Sequence, residues 1–252
     1  MSSLVSIVLP TYDEAGNIVD LIRAIDHAVT RPKEIIVVDD NSPDGTSQLV
    51  AGLIQEGSVP GLRLETRMTD RGLTKSLRRG IELSKGDVVL WMDCDFSMPP
   101  EILPKLLTEI DEGYDIAVGS RFVRGGSAKQ GEGEESKTVI ALSKILNWLT
   151  RMLLSPSFHD YTSGFIAVRK RVLVAIPLRG DYGEYFMDFI YRAILRGEKI
   201  IEIPYVCVPR RAGVSKTAAQ VVRFGKKYLA TLVRLWGLRM KKAFSGAMNT
   251  EK

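Results

Sequence analysis

Cysteine is scarce in this sequence of 252 residues, and long uncharged apolar runs are absent from it. The two cysteines, Cys94 and Cys207, cannot build a disulfide framework, which is typical of a reducing compartment. No stretch approaches the roughly 18 to 20 uncharged apolar residues of a membrane-spanning helix, since even the apolar segment 139–154 contains Lys144 and Arg151. The first five residues show no charged region and no cleavage site, so no signal peptide is predicted. We therefore expect a cytoplasmic protein that is dissolved or bound to a membrane surface.

The composition excludes disordered and fibrous proteins. Hydrophobic residues make up 45% of the sequence and charged residues 26%, close to the average of globular proteins. The net charge of +5 is unevenly distributed, because residues 206–252 contain 11 Lys or Arg and one acidic residue, whereas the first 205 residues contain 24 basic and 29 acidic ones. A basic tail on an acidic body indicates a polyanionic surface as partner, and these numbers leave bilayer and nucleic acid both open.

Apolar runs and amphipathic stretches alternate along the first half of the sequence. The runs predict strands at 4–9, 35–38, 63–67, 88–92 and 115–118, and the stretches between them predict four helices. Four β-α units followed by a strand predict an open, mostly parallel α/β sheet. The second half predicts strands at 165–168 and 199–203, with helices at 139–154, at 185–196 and at the end of the chain. Residues 125–136, which include four Gly and three Glu, predict a flexible loop that could act as a lid.

Polar side chains collect where the predicted strands end. They occur in the segments 10–14 (PTYDE), 39–42 (DDNS), 93–95 (DCD) and 119–121 (GSR). Ligands of open α/β sheets bind beyond the carboxyl ends of the strands, so we expect neighbouring strands to bring these segments into one site. A G-x-G-x-x-G segment after the first strand and a P-loop are both absent, which argues against dinucleotide-binding and P-loop proteins.

Three aspartates are candidate ligand-binding residues. Asp93 and Asp95 are two residues apart after a buried strand, so an extended backbone directs both side chains the same way. Two carboxylates on one side suit a hard divalent cation that keeps its other positions for a diphosphate and water, and two solvated loop acids are the alternative. Asp40 follows four apolar residues and is expected to accept from a base or a ribose. Its alternative role is a helix cap, which Asn41 or Ser42 could supply instead.

The order of these motifs resembles family 2 glycosyltransferases of the GT-A fold, and more closely the polyprenyl-phosphate (dolichol-phosphate) mannose synthases. The resemblance covers residues 4–217. The matching segments are Pro10-Thr11-Tyr12-x-Glu14, 38–46, Gly72-Leu73, Gly86-Asp87, Asp93-x-Asp95, 119–122, 160–165 and 210–216.

The resemblance implies a nucleotide sugar as donor and Mg or Mn as cofactor. It implies that the nucleotide sugar is held by Pro10, Tyr12, Glu14, Val38, Asp40, Asp93, Cys94, Arg210 and Lys216. The metal ligands would be Asp93 and Asp95, with Ser97 at the position of a third. Asp95 and Arg121 would carry the catalytic step, and Arg121, Ser143 and Lys137 would address the acceptor phosphate. Arg210 and Lys216 would lie on a loop that closes over the donor.

Three positions depart from the family pattern. Ser97 stands where the family often has Gln, and a serine is a shorter and poorer ligand. Val139 stands at a second acceptor-side arginine, with Lys137 nearby, and Tyr185 stands where mannose synthases can have Lys. These departures bear on the exact donor and acceptor more than on the type of reaction.

The scarcity of histidine agrees with a phosphate acceptor. Inverting transfer to an alcohol needs a general base, whereas a phosphate monoester, whose second pKa is about 6, is already largely dianionic at neutral pH. The two histidines offer little, because His27 is expected on the solvent face of a helix and His159 is either local structure or a site residue. A site made of metal, Arg and Lys suits a phosphate nucleophile and a diphosphate leaving group. Trp148 is expected either in the core or in an acceptor groove, and Cys94 is expected to pack into the sheet.

The C-terminal segment predicts a basic amphipathic helix. Five basic residues fall within about 100° of a helical wheel, namely Arg223, Lys226, Lys227, Arg234 and Lys241. Apolar residues fill most of the remaining arc, which Arg239 interrupts. We expect the helix to lie in the interface of an anionic bilayer or to dock on a membrane protein. Packing on the catalytic domain, with the basic face in solvent, is the alternative.

We therefore predict a GT-A catalytic domain over 1–217, with a nucleotide-sugar and metal half at 1–122 and an acceptor half at 123–217, followed by the basic helix and tail at 218–252. The predicted activity is metal-dependent, inverting transfer of mannose from GDP-mannose to a polyprenyl or dolichyl phosphate at the cytoplasmic membrane face. UDP-glucose or a UDP-N-acetylhexosamine as donor, and a non-catalytic glycosyltransferase-like subunit, are the alternatives. Nucleic-acid binding is disfavoured because it explains neither the acidic body nor the paired aspartates. A receiver domain is disfavoured because its acid pair would end the first strand.

Overall fold

The computed structural model describes residues 4–128, 137–213 and 221–249, and gives side-chain positions for these except at 128, 137–143, 221–223 and 243–249. The strands are β1 Val5–Thr11, β2 Lys33–Asp39, β3 Leu62–Thr66, β4 Val88–Trp91, β5 Ile116–Ser120, β6 Ser127–Ala128, β7 Ile166–Arg169, β8 Ile200–Pro204 and β9 Val206–Cys207. The helices are α1 Ile18–Ala28, α2 Thr46–Glu56, α3 Leu73–Leu83, α4 Leu103–Asp111, α5 Lys137–Leu153, α6 Lys170–Ala175, α7 Glu184–Arg196 and α8 Val221–Asn249.

Seven of these strands form one sheet in the order β3-β2-β1-β4-β7-β5-β8. β1 lies near its centre and pairs in parallel with β2 and β4, while β2 pairs in parallel with β3. The side chains of 35–38 and 88–91 are buried on both faces, which is typical of parallel strands covered by helices on each side. The predicted open, mostly parallel α/β sheet is confirmed.

The position of strand β7 in the sheet is a feature that the sequence pattern left unassigned. The strand runs antiparallel to β4 on one side and to β5 on the other, so β5 is not a neighbour of β4. Ile166, Ala167 and Val168 are fully buried, which suits a central position in the sheet. Because β7 is antiparallel, its first residue lies at the edge where the parallel strands end. The loop that precedes it therefore reaches that edge beside Arg121.

Two apolar layers cover the faces of the sheet. Alternate residues of β1 point to opposite layers, so that Ile7 packs with α1 and α4 while Val8 packs with α3 and α7. Gly80 lets α3 approach closely, because a Cβ at this position would clash with the Cγ atoms of Val8. This close contact packs α3 directly against β1.

The second half contains elements that the sequence did not predict. They are the short helix α6 and a two-stranded parallel sheet of β6 and β9. The predicted lid at 125–136 is described as far as 128, where β6 pairs with β9, and its remainder lies outside the described residues.

Helix α8 packs on the domain and also presents an exposed apolar row. Leu232 and Leu235 are buried against the layer that contains α7. Lys227 and Arg234 form ion pairs with Asp181 and Asp188, at 2.6 and 2.7 Å. Two of the five basic residues predicted to face a membrane are therefore paired with the domain, as the packing alternative requires. In the part of the chain that the structure describes, no helix combines the length and apolarity needed to cross a bilayer.

Candidate active site

The backbone turns sharply after each of the four parallel strands β1 to β4. One non-glycine residue with a positive φ follows each strand, namely Asp13 (54°), Asn41 (55°), Asp70 (56°) and Phe96 (65°). Asp and Asn adopt this conformation more readily than other non-glycine residues, so the strain is greatest at Phe96. Strain of this kind collects at functional sites. The four turns lie at the edge of the sheet where the parallel strands end.

Asp93 and Asp95 lie together at this edge, directly after β4. The Asp93 side chain reaches solvent, yet desolvation by the surrounding protein atoms and then the charge of Asp95 raise the pKa of Asp93 to about 7. Asp95 is buried and accepts the Ser97 backbone N–H at 2.9 Å. Two crowded carboxylates, of which Asp93 has a raised pKa, fit a divalent cation such as Mg or Mn, which would relieve their repulsion. Among the described residues no third His, Cys, Asp or Glu joins them, so further ligands would come from a diphosphate and water.

Arg210 joins this pair of aspartates to the loop after β1. Its Nη2 lies 2.9 Å from Asp95 Oδ2, and its Nη1 donates to Glu14 Oε1 at 3.0 Å. Burial would lower the pKa of Arg210, but the charges of Asp95 and Glu14 outweigh it and raise that pKa. Asn17 Nδ2 donates to the other oxygen of Glu14 at 2.8 Å. Two predicted donor-binding residues, Glu14 and Arg210, are therefore in contact with each other, and Arg210 also contacts the predicted metal ligand Asp95.

Arg210 belongs to the segment 208–213. This segment lies across the loop after β4 that contains Asp93 and Asp95. The backbone N–H groups of Val208 and Arg211 donate to the carbonyls of Ser97 and Asp95, at 3.2 and 3.0 Å. Arg211 also stacks on the ring of Phe96, with 5.1 Å from its guanidinium carbon to the ring centroid. These contacts hold the segment over the paired aspartates.

Asp40 accepts hydrogen bonds from three groups of the chain itself. Arg67 Nη1 and the Ser76 hydroxyl donate to its Oδ1 at 3.0 and 2.8 Å, and the Gly72 N–H donates to its Oδ2 at 2.7 Å. The carboxylate therefore fastens the start of α3 to the end of β2. A contact of Asp40 with a base or a ribose stays a prediction. The ligand would have to share the carboxylate with these three donors.

Asp39 shapes the turn into α2. Its buried carboxylate accepts the Ser42 N–H at 2.9 Å and the Ser47 hydroxyl at 2.7 Å. The first turn of α2 is held by Asp44, which accepts from the Thr46 N–H at 3.0 Å. The start of α2 thus has its own carboxylate, so Asp40 does not cap α2, and its carboxylate contacts the start of α3 instead.

Arg121 is held by a buried aspartate in the loop before β7. Its Nε and Nη2 donate to the two carboxylate oxygens of Asp160 at 2.9 and 2.8 Å, and its Nη2 also donates to Thr162 Oγ1 at 2.8 Å. Burial would raise the pKa of Asp160, but the Arg121 charge and hydrogen bonds outweigh it and hold that pKa below its ordinary value. The Arg121 side chain keeps 20% of its surface exposed. Its guanidinium is therefore fixed in orientation and still accessible to an anion.

The structure separates the remaining predicted donor contacts into accessible and buried side chains. Tyr12 is 38% exposed at the site, whereas Val38 is fully buried in the core and Cys94 is 3% exposed. The Cys94 thiol donates to the Pro10 carbonyl at 3.5 Å, which agrees with its predicted packing role. A side-chain contact from Val38 or Cys94 to a nucleotide is therefore excluded by burial, and a contact at these positions would use the backbone.

Three predicted residues cannot be placed at side-chain level. Lys137 begins α5 and Ser143 lies within it, but both side chains are outside the described set. Lys216 lies outside the described residues altogether. Their contacts with donor or acceptor stay predictions.

Two residues that build the site were given no individual role from the sequence. Arg67 ends the β3 region and binds Asp40, while Asp160 lies within a quoted motif but had no role assigned. The signal available for Asp160 was an acidic residue in the polar loop that precedes the apolar run 165–168. His159 proves to be local structure, since its Nδ1 lies 2.8 Å from Glu202 Oε2 on β8.

Comparison with solved structures shows the class of fold. Glucosyl-3-phosphoglycerate synthase from Mycobacterium tuberculosis, solved with Mn²⁺ and UDP, superposes with a TM-score of 0.71 at 20% identity, covering 93% of this chain and 80% of that one. Mannosyl-3-phosphoglycerate synthase from Rubrobacter xylanophilus gives a TM-score of 0.71 at 18% identity, covering 96% and 75%. The fold is thus the GT-A type found in glycosyltransferases.

The sequence comparisons show the family. The model described as Glycosyl transferase family 2 matches residues 6–176. The chain is 33% identical over 240 residues to a dolichol-phosphate mannosyltransferase of Pyrococcus furiosus, covering 92% of this chain and 63% of that protein. It is 34% identical over 239 residues to a polyprenol monophosphomannose synthase of Mycolicibacterium smegmatis, covering 92% and 86%. The chain belongs to glycosyl transferase family 2, and it is a glycosyltransferase.

Proposed function

We propose that this glycosyltransferase moves mannose from GDP-mannose to a polyprenyl or dolichyl phosphate, with inversion and with a divalent metal. The observation that carries the proposal is the setting of Asp93, which lies next to Asp95 and within the fields of Arg210 and Arg121. Paired carboxylates beside two guanidinium groups suit a reaction in which both the leaving group and the nucleophile are phosphates. The printed names of the Pyrococcus and Mycolicibacterium relatives support mannose and a polyprenyl phosphate as the two substrates.

On the donor side, Asp93 and Asp95 would hold Mg or Mn, and Ser97 stands beside them. When bound, the metal supplies positive charge to the departing diphosphate. Asp95 and Glu14 hold Arg210 beside the proposed metal site. From this position its guanidinium can rotate to contact a diphosphate oxygen. Tyr12, which is partly exposed at the same edge, is available to pack on the nucleotide.

On the acceptor side, the nucleophile is an oxygen of the phosphate monoester. The bond between the anomeric carbon and the diphosphate breaks as the bond to the acceptor oxygen forms, and GDP leaves. A monoester with a second pKa of about 6 has lost its proton at neutral pH, so the step needs no general base. Arg121, oriented by Asp160 and still accessible, positions that phosphate and screens its charge.

The test is a donor panel. Purified protein is supplied with Mn or Mg, a short polyprenyl phosphate in detergent, and labelled GDP-mannose, UDP-glucose or UDP-N-acetylglucosamine in turn. Metal-dependent transfer from GDP-mannose is the expected result. Transfer from a UDP-sugar instead would replace the proposed donor, and no transfer from any donor by folded protein would favour a non-catalytic role.

We also propose that the protein acts at the cytoplasmic face of a membrane, held there by α8. The helix turns Leu229, Val233 and Trp236 to solvent, although its opposite side is buried on the domain. An exposed row with a tryptophan, beside exposed lysines, is typical of helices that lie in a bilayer interface. A membrane-protein partner docking on the same row is the competing occupant, and the vesicle measurement in the Discussion separates the two.

A further inference from the structure

The short segment 180–183 leads into α7 and lies between two other helices, α3 and α8. We call this segment the strap. On its α3 side, the Thr74 hydroxyl donates to the Tyr182 carbonyl at 3.3 Å, and the Thr74 N–H donates to the Asp181 carbonyl at 3.5 Å. Thr74 is fully buried in the first turn of α3. The strap is therefore attached to the end of α3 that borders the proposed donor site.

The opposite side of the strap packs on the first two turns of α8. The rings of Tyr182 and Phe224 are stacked, with 3.7 Å between their centroids and 8° between their planes. Lys227 adds an ion pair with the carboxylate of the strap at 2.6 Å. A Cβ at Gly183 would clash with the Tyr228 hydroxyl, so the backbone of the strap approaches the helix closely. A stacked ring pair, an ion pair and a close backbone contact thus join the strap to α8.

The first turn of α3 is also the part of the chain that binds Asp40. The Gly72 N–H donates to Asp40 Oδ2 at 2.7 Å, and the Ser76 hydroxyl donates to Asp40 Oδ1 at 2.8 Å. Thr74 lies between these two donors in the chain, so the strap holds the same turn that orients the Asp40 carboxylate. Direct contacts therefore run from Phe224 through the strap to the residue predicted to bind the nucleoside, and packed side chains of this kind can carry coupling between distant positions.

The segment before the strap has its own attachment to α3. The Nε of Arg78, in the second turn of this helix, donates to the carbonyl of Leu178 at 2.8 Å, and Leu178 is buried. Further along α3, Gly80 packs against β1. Loss of the contact between the strap and α8 should therefore loosen the first turn of α3 without detaching the rest of the helix.

We propose that Phe224 is a positioning residue for the donor nucleotide, because its stacking on Tyr182 holds the strap against α3 and so fixes the turn that binds Asp40. The inference rests on the proposed function for the contact between Asp40 and the nucleotide. It makes the first turns of α8 a supporting part of the donor site. Without the stack, only a fraction of the molecules has this turn in the binding-competent position, and the observed Kd rises by the inverse of that fraction.

Nucleotide binding and steady-state kinetics of Phe224→Ala test this role. Calorimetric titration of the Mn-loaded protein with GDP measures affinity without a sugar or a lipid. Phe224→Ala is expected to weaken GDP binding about fivefold, which corresponds to a competent turn in about one fifth of the molecules. The KM for GDP-mannose should rise by the same factor, whereas kcat at saturating donor should stay within about twofold of the wild type. Phe224→Tyr keeps a ring for the stack and should retain the wild-type affinity.

Hydrogen exchange locates the effect within the chain. The amides of Gly72 and Thr74 donate to Asp40 and to the strap, so the peptide 70–77 should exchange faster in Phe224→Ala than in the wild type. Exchange in β1 should be the same in both proteins, and saturating GDP should reduce the difference at 70–77. Weakened GDP binding with unchanged exchange at 70–77 would overturn the role of the strap.

Trp236→Ala is the matched control, because it removes an aromatic side chain from an exposed position of the same helix. In the absence of vesicles it should bind GDP like the wild type. Wild-type GDP affinity in Phe224→Ala, or an equal loss of affinity in Trp236→Ala, would overturn the positioning role. If the wild type binds UDP in place of GDP and Phe224→Ala weakens UDP binding, the proposed donor is wrong and the positioning role stands.

Discussion

Arg210 and the Asp93–Asp95 pair place opposite charges next to each other at the proposed metal site. Asp95 is in contact with a cation of the chain, and Asp93 has a pKa raised to about 7 by desolvation and by its neighbour's charge. Removing one carboxylate of this pair should therefore act on chemistry more than on folding. The same residues bind the proposed metal, so metal affinity is the measurement that reports on them directly.

Asp95→Ala is expected to lower sugar transfer at least about 100-fold, because a lost metal ligand removes charge from the leaving group in the transition state. Titration of Mn by calorimetry should show loss of tight binding in the same variant. Glu109→Gln, at a partly exposed position of α4, is the control and should match the wild type in both measurements. An Asp95→Ala protein with unchanged Mn binding would place the metal elsewhere.

Asp160→Asn is expected to reduce the free energy of unfolding by about 3 kcal/mol, because it leaves Arg121 beside a buried group without charge. Urea unfolding at neutral pH measures the difference. The control, Asp111→Asn, breaks the exposed Arg31–Asp111 pair at 2.7 Å and should change stability by less than about 1 kcal/mol. Equal losses of unfolding free energy in the two variants would contradict the expectation that the buried Arg121–Asp160 pair stabilises the fold more than the Arg31–Asp111 pair.

The pH dependence of that difference has a definite sign. The folded pKa of Asp160 lies below its ordinary value, since the Arg121 charge outweighs burial. The pair therefore stabilises the fold above the unfolded aspartate pKa of about 3.9 and stops doing so as the pH falls through the folded pKa. The gap in unfolding free energy between wild type and Asp160→Asn should shrink in acid. A gap that widens as the pH is lowered would contradict this assignment.

At the scale of elements, the close packing of α3 on the sheet depends on a glycine at position 80. Gly80→Ala should cost about 2 kcal/mol of unfolding free energy, because its new methyl group would overlap the buried Val8 side chain. Gly52 of α2 has no atom within 4 Å of a built Cβ, so Gly52→Ala should gain up to about 1 kcal/mol from helix propensity. Thermal or urea unfolding compares the two. Stabilisation by both substitutions would show that α3 does not sit against β1 as described.

At the scale of the whole molecule, α5 and α8 carry most of the exposed large apolar side chains in the part of the chain that the structure describes. We expect the protein to bind vesicles that contain anionic lipid, and to be released by salt, which screens the lysines. Replacing Lys226 and Lys241 by Gln should weaken vesicle binding about fivefold per lysine, and Trp236→Ala should weaken it without changing the salt dependence. Sedimentation with vesicles is the measurement, with Lys105→Gln as control. Binding that ignores lipid charge and salt would favour a protein partner for α8.

The sequence by itself determined the order of strands and helices in the first half and the residues at the strand ends. It could do so because parallel strands buried on both faces are continuous apolar runs, and because the acids that follow them stand out against those runs. The family could also be recognised from the sequence, because many short motifs occur in the expected order. These are local signals, carried by neighbouring residues of the chain.

Tertiary structure decided the rest. The insertion of β7 between β4 and β5, the clamp of Asp160 on Arg121, and the contact of Arg210 with Asp95 each join residues more than 35 positions apart. No local pattern encodes such pairings, because they depend on which strand lies beside which. The same holds for α8. Its helical wheel shows two apolar sides, but it does not show which side packs on the domain. Packing against α7 covers Leu232 and Leu235 and leaves Trp236 exposed, because side chains one residue apart point about 100° away from each other on a helix.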